Sequence, residues 1–228
     1  MLYRVLFSNN LSPQEAVMYF LISIFVFFIS LTLHEFAHGY AAYKMGDLTP
    51  KVSGRLTLNP VKHLDMTGFV CFLLMGVGWA KPVPVNPLNF KKYKKGMRIV
   101  SLAGILTNFL LGLFAAGIYA IMLATVQVET AVITCVYVIL EYFMVVNSCL
   151  TLFNILPIMP LDGYNFIATF LKPDNKFVRF SEKNGFKVLL VIMIICIFVE
   201  LFFGLDLFGM YLSLIHNFVY IPIALLGG

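Results

Sequence analysis

Long, nearly uncharged apolar runs set the first limit on what this chain can fold into. They fall at roughly 17–43, 99–125, 131–156, 186–204 and 207–226, each close to the about twenty residues a helix needs to cross the hydrocarbon layer of a bilayer. With 61% hydrophobic and 12% charged residues in a 228-residue chain, there is more apolar surface than one globular core of that length can bury. Lipid must take up the rest, so the chain is an integral membrane protein. The first run has no basic segment before it and no small-residue cleavage site after it, and reads as a retained span. Cys71, Cys135, Cys149 and Cys196 form no CxxC pair and all lie in apolar stretches. They read as small hydrophobes, which argues against a disulfide framework or a thiolate metal site.

A further apolar run, 66–79 ("MTGFVCFLLMGVGW"), holds about fourteen residues, short for a crossing. Lys44, Lys51, Arg55 and Lys62 precede it, and Lys81, Lys91, Lys92, Lys94, Lys95 and Arg98 follow it. If the run crossed, one basic cluster would lie outside, against the positive-inside bias; if it dips in and returns, both remain inside. Read as re-entrant, it makes residues 44–98 cytoplasmic, the turn at 126–130 external and the basic loop 172–187 cytoplasmic again. Of the sixteen Lys and Arg, only Arg4 then lies outside. The net charge of +5 thus serves orientation and contact with anionic lipid, and nothing calls for nucleic acid.

Two segments beside the re-entrant run are not helical in pattern. "GRLTLNP" (54–60) alternates apolar and polar residues and predicts a short strand. "WAKPVPVNPLNF" (79–90) carries Pro82, Pro84 and Pro87, which disfavour helix and keep the chain extended. Non-helical backbone at membrane depth is tolerated when buried in protein or lining a wet cavity. The expected fold is an α-helical integral membrane protein of about five full spans, with a re-entrant hydrophobic segment and short membrane-associated β-strands. It forms a single domain over residues 1–228.

Chemistry enters in the last third of the first span, "LTLHEFAHGY" (31–40). His34 and His38 are four residues apart, about 40° around a helix axis, so both imidazoles can grip one ion. Glu35 projects from a neighbouring face, where its carboxylate reaches water at the metal without being a ligand. This HExxH spacing suits two zinc ligands and a general base. The plainer alternative is two interfacial histidines with a snorkelling glutamate. Against it, each ionisable group at this depth costs several kcal/mol, on the order of 3, which zinc binding would offset.

A catalytic zinc needs a third protein ligand and an open position. Glu129, Glu141 and Glu200 lie toward the external side, and Asp174 and Glu182 belong to a solvated loop. Asp162, in "NILPIMPLDGYN" (154–165), follows the 131–156 span at its cytoplasmic end, on the side where the histidines lie. Pro157 and Pro160 break the helix there, and Gly163 permits a sharp turn that aims the carboxylate inward. The alternative for Asp162 is a helix-terminating turn residue.

The pair "HEFAH" (34–38) and "NILPIMPLDG" (154–163), in that order on two hydrophobic helices, resembles the site-2 protease family of intramembrane zinc metalloproteases. "GRLTLNPVKHLD" (54–65), "GWAKPVPVNPLNF" (78–90) and "SLAGILTNFLLG" (101–112) are similar to its compact bacterial branch without a PDZ domain, so the likeness covers most of the chain. Two departures, "AGI" (103–105) in place of Ala-Gly-Pro and "LDMTG" (64–68) without a proline after the Asp, concern backbone shape and no ligand. The resemblance implies one Zn2+ per chain, held by His34, His38 and Asp162, with Glu35 as general base. It also implies a role near the site for the GxxxN pair Gly104 and Asn108. Asn108 either donates to a developing oxyanion, orients the water, or makes a polar contact between helices.

The implied activity is hydrolysis of peptide bonds within or near transmembrane segments of single-span regulatory proteins, in the cell membrane, by a multi-pass protein whose active site faces the cytoplasmic side. A strand edge at 54–58, or the extended 79–90 segment, is expected to receive the unwound substrate backbone by β-addition. The alternative class is a non-catalytic zinc-containing membrane scaffold or transporter. His63 and Asp65 read as interfacial anchors or loop hydrogen-bonding groups in preference to a second metal site, and His216 as a packing histidine.

Overall fold

A computed structural model describes residues 12–75, 78–128 and 130–203. The first helix, α1 (Pro13–Met45), starts at a capping box: Ser12 Oγ accepts from the Glu15 amide, and the Glu15 carboxylate accepts from the Ser12 amide at 2.8 Å. Together with Pro13 at the first helical position, this satisfies amides that a helix N-terminus otherwise leaves orphaned. It ends at Gly46, whose φ of 109° is left-handed and suits glycine. Short helices α2 (Thr49–Val52), α3 (Pro60–His63) and α4 (Met66–Met75) follow. Next come an extended segment over 79–86 and a 3-10 turn at Pro87–Asn89. The chain then runs through α5 (Tyr93–Thr125), α6 (Ala131–Ile155), α7 (Asp162–Ala168) and α8 (Lys176–Phe203).

The framework is α1 packed against both α5 and α6, which also pack against each other. Ala115 and Ala116 of α5 let it approach Leu140 and Met144 of α6 closely, as small residues do between helices in lipid. Val26 of α1 is fully buried with Val138 and Tyr142 of α6. A polar clasp adds direction: Asn147 Nδ2 donates to Ser30 Oγ at 2.9 Å across the α1–α6 interface, and both side chains are fully buried. The outer faces of these helices stay apolar and exposed, for example Leu21, Phe25, Leu110 and Phe114. In a bilayer those are the surfaces that lipid covers.

Two expectations of the fold are corrected. Among the described residues, α1, α5 and α6 are the helices long and apolar enough to cross a membrane, three in place of five. The apolar run 207–226 and Gly204 lie outside the described residues, and 186–203 falls within α8, the last side chains of which lie outside them also. The difference lies in the last two runs, both of which reach beyond the described residues, whereas the first three form continuous helices of 25 or 33 residues, enough to cross about 30 Å of hydrocarbon. The ten residues of α4 rise only about 15 Å at the α-helical pitch, half that thickness.

The second correction concerns strands, of which the described residues contain none. At 54–60 the alternating pattern has helices for neighbours and no strand to pair with, so the backbone turns on itself. Gly54 adopts a φ of 66°. The amides of Arg55 and Leu56 both donate to the Pro50 carbonyl at 3.0 Å, and Thr57 O bonds to His63 Nε2 at 2.8 Å. Period-two alternation marks a half-buried surface, and without a ladder partner it does not make a strand. The 79–86 segment is extended as its prolines predict, and it is held by side chains and loop backbone in place of a sheet.

Candidate metal centre

Within α1, His34 is 5% exposed and His38 9% exposed, and both face α5. One stripe of α5, Val100, Gly104 and Asn108, receives them at successive helical turns. His38 Nδ1 lies 2.8 Å from the Val100 carbonyl, which can only accept, so this nitrogen carries the proton and Nε2 presents a lone pair. His34 Nδ1 donates to Asn108 Oδ1 at 2.8 Å, with the same effect on its own Nε2. Between them Gly104 has no room for a side chain. A Cβ there would come within 2.5 Å of His34 Cε1 and of His38 Nε2, so the rings rest directly on the glycine.

The third group arrives from the far end of α6. Pro157 and Pro160 end that helix, the chain turns, and Asp162 opens α7. Gly163 is packed against backbone, with a Cβ there falling 2.2 Å from the Ile155 carbonyl oxygen. The "LDG" turn is thus tight because nothing larger fits. Arg98 at the start of α5 fixes the other end of α7: its Nε donates to Thr169 Oγ1 at 2.9 Å, and its guanidinium sits 3.8 Å from the Phe170 ring centroid.

The result is a triangle of acceptors. His34 Nε2 and His38 Nε2 are 2.9 Å apart, and Asp162 Oδ2 lies 3.3 Å from the first and 3.0 Å from the second. Two imidazole lone pairs and a carboxylate converging in a nearly buried space repel one another unless positive charge lies between them. Tetrahedral zinc with nitrogen and oxygen ligands places ligand atoms roughly 3.3–3.5 Å apart, close to the edges observed. Donor chemistry and spacing therefore both fit a divalent metal, and among the described residues His34, His38 and Asp162 form the group able to hold one.

Glu35 lies beside this triangle and outside it. Its Oε2 accepts a hydrogen bond of 2.8 Å from the Val83 amide of the extended segment. Asn108 is fully buried, and while its Oδ1 is engaged by His34, its Nδ2 has no partner among the described residues. His63 and Asp65 do not join in a second centre. His63 Nε2 faces the Thr57 carbonyl, and Asp65 Oδ1 accepts from Thr67 Oγ1 and from the Gly68 amide at 2.9 Å, capping α4. His216 lies outside the described residues.

Three participants escape a reading of the sequence. The Val100 carbonyl and the Val83 amide are backbone groups, which residue identity does not advertise. Asp47, directly after the helix-ending Gly46, is fully buried and accepts from the Thr49 amide (3.0 Å), Thr49 Oγ1 (2.6 Å), the Asn86 amide (2.7 Å) and Asn89 Nδ2 (2.7 Å). A lone acid beside an apolar span was its available signal.

Residues 22–128 match the family described as "Peptidase family M50". The chain is 39% identical to the protein named "Putative zinc metalloprotease YwhC" of Bacillus subtilis, over 80% of this chain and 83% of that one. It is 28% identical to "Putative zinc metalloprotease Rip2" of Mycolicibacterium smegmatis, over 82% and 72% of the two chains. Identity to the Rip2 of Mycobacterium tuberculosis strain H37Rv is 25%, over 81% and 71%. No solved structure matches the chain significantly. With the HExxH histidines buried on α1, an Asp brought to them by the turn after α6, and a relative this similar over four-fifths of its length, the chain belongs to peptidase family M50, the site-2 protease family of membrane metallopeptidases.

Proposed function

We propose that the chain is an intramembrane zinc endopeptidase acting on single-span membrane regulatory proteins, cutting within or near their transmembrane segments. One Zn2+ per chain is held by His34, His38 and Asp162, in one membrane domain. The observation that carries the reading is the convergence of those three acceptor atoms within 3.3 Å next to a carboxylate that is not part of the triangle.

When bound, zinc supplies polarisation of a peptide carbonyl and acidification of water. The chain's own residues do the rest. Glu35 accepts the proton of the attacking water and delivers it to the leaving amine nitrogen, as a general base and then a general acid. Val100 and Asn108 fix the tautomers of the two histidines. The unpartnered Asn108 Nδ2 is left to donate to the oxygen on which negative charge develops. A peptide bond in a helix is shielded by its own ladder, so the substrate must unwind first, and the extended segment 79–86 beside Glu35 offers it a matching backbone. The site faces the cytoplasm, since the Lys- and Arg-rich stretch 44–98 adjoins the end of α1 that bears the motif.

The deciding experiment uses the full chain in lipid with a model transmembrane peptide. Glu35→Gln is expected to retain bound zinc and to lose about 10²–10⁴-fold in cleavage rate. Asp162→Ala is expected to lose zinc itself. Cleavage by the Glu35 variant at the wild-type rate would end the general-base assignment.

A further inference from the structure

The extended segment that passes Glu35 is tied down more thoroughly than a connecting loop requires. The Lys81 amide donates to the His63 carbonyl at 2.9 Å, and Arg55 Nη2 reaches the carbonyls of Lys81 and Pro82. Val83 donates its amide to Glu35 Oε2 at 2.8 Å, and the Asn86 amide goes to Asp47 Oδ2 at 2.7 Å. The next turn is held too, by Asn89 Nδ2 on Asp47 Oδ1 and by the Lys91 amide on the Met45 carbonyl.

The sequence "KPVPVNP" explains why one amide serves Glu35. Pro82 and Pro84 have no N–H, so Val83 is the only backbone donor across those three residues, and each proline keeps the residue before it extended. The segment is therefore ordered before it meets the carboxylate, at a small entropic cost. Its register comes from α1. Gly39 lies one turn beyond Glu35, and a Cβ there would stand 3.2 Å from Val83 Cγ1. The valine, 7% exposed, sits in that notch, and its amide falls on Glu35.

We propose that this segment is a positioning strap for the general base. The Val83 amide fixes Oε2 of Glu35, so that Oε1, which has no hydrogen bond among the described residues, is the oxygen aimed at the attacking water. Asp47 is the anchor that holds the strap in register. The inference rests on the proposed peptidase reading and adds to it two positioning residues that touch no reacting atom.

The test is steady-state cleavage of a model transmembrane peptide by the zinc-loaded full chain in lipid, with zinc stoichiometry measured on the same samples. Val83→Pro removes the donor while suiting an extended backbone, and Val83→Ala retains it. The proline variant is expected to show kcat about tenfold or more below that of the alanine variant, with KM within about twofold and zinc bound at wild-type stoichiometry, a fraction of what general-base catalysis contributes. Asp47→Asn, which turns one acceptor into a donor facing the Asn86 amide, is expected to lower kcat with zinc retained, through the same loss of aim. Equal kcat for the two Val83 variants together with wild-type kcat for Asp47→Asn overturns the proposal, as does loss of activity only in step with loss of zinc. A wild-type chain that binds zinc but cleaves nothing would instead overturn the peptidase reading.

Discussion

Gly104 shows how a residue without chemistry decides the chemistry around it. Its missing Cβ is the space in which the two imidazoles rest, and one turn further on Asn108 Oδ1 holds His34 Nδ1. Gly104→Ala should push the rings off the stripe, and Asn108→Ala should free the His34 ring. Each is expected to weaken zinc affinity about 10–100-fold, the range seen when groups supporting a metal ligand are removed, as read by competition with a chromogenic chelator. Unchanged affinity in Gly104→Ala would mean that the rings adjust without cost. At this scale His34, Glu35 and His38 were legible in the sequence, because helical periodicity alone places them. The roles of the Val100 carbonyl and the Val83 amide were not, because every residue type but one offers the same backbone groups.

Elements matter here through how they end. The prolines after α6 and the crowded Gly163 deliver Asp162 to the histidines, while Gly46 and Asp47 turn α1 into a loop that carries the strap. Burial pushes the Asp47 carboxyl up, but its bonds from Thr49, Asn89 and Asn86 outweigh this and hold it below the usual range. A group lowered in the folded state stabilises above its unfolded pKa of about 3.9 and loses that contribution as pH falls through the folded value. Asp47→Asn should thus be less stable than wild type at pH 7, by about 1–3 kcal/mol, and the gap should close below about pH 4. Thermal unfolding in detergent across pH measures it, and a gap independent of pH would deny the charge a role. The misread strand at 54–60 belongs to this scale as well. Alternation there was real, but a strand exists only with a partner, and a partner is a tertiary fact.

For the molecule as a whole, a three-helix framework of α1, α5 and α6 carries the centre near one end of α1. His34 and His38 stand eleven and seven residues before Met45, about 10–17 Å along the axis at 1.5 Å per residue. Under the proposed function, that distance sets the chemistry below the polar surface, where water needs a guided path and the substrate must be unwound. The orientation proposed from the basic segments makes a direct prediction: single cysteines at Lys92 or Lys95 should react with a membrane-impermeant maleimide only from the cytoplasmic face, and one at Val128 only from outside. The opposite labelling pattern would reverse the topology and move the site to the other side.

The sequence by itself determined the solvent, the long helices and the HExxH pair, because apolar length and helical spacing are local properties that survive without knowledge of neighbours. It singled out Asp162 by its turn and its side of the membrane. Tertiary structure alone decided that this carboxylate lies within 3.3 Å of both rings, that Gly104 makes room for them, and that a proline-spaced strap meets Glu35. Those are relations between segments distant along the chain, and they exist only once the helices have packed.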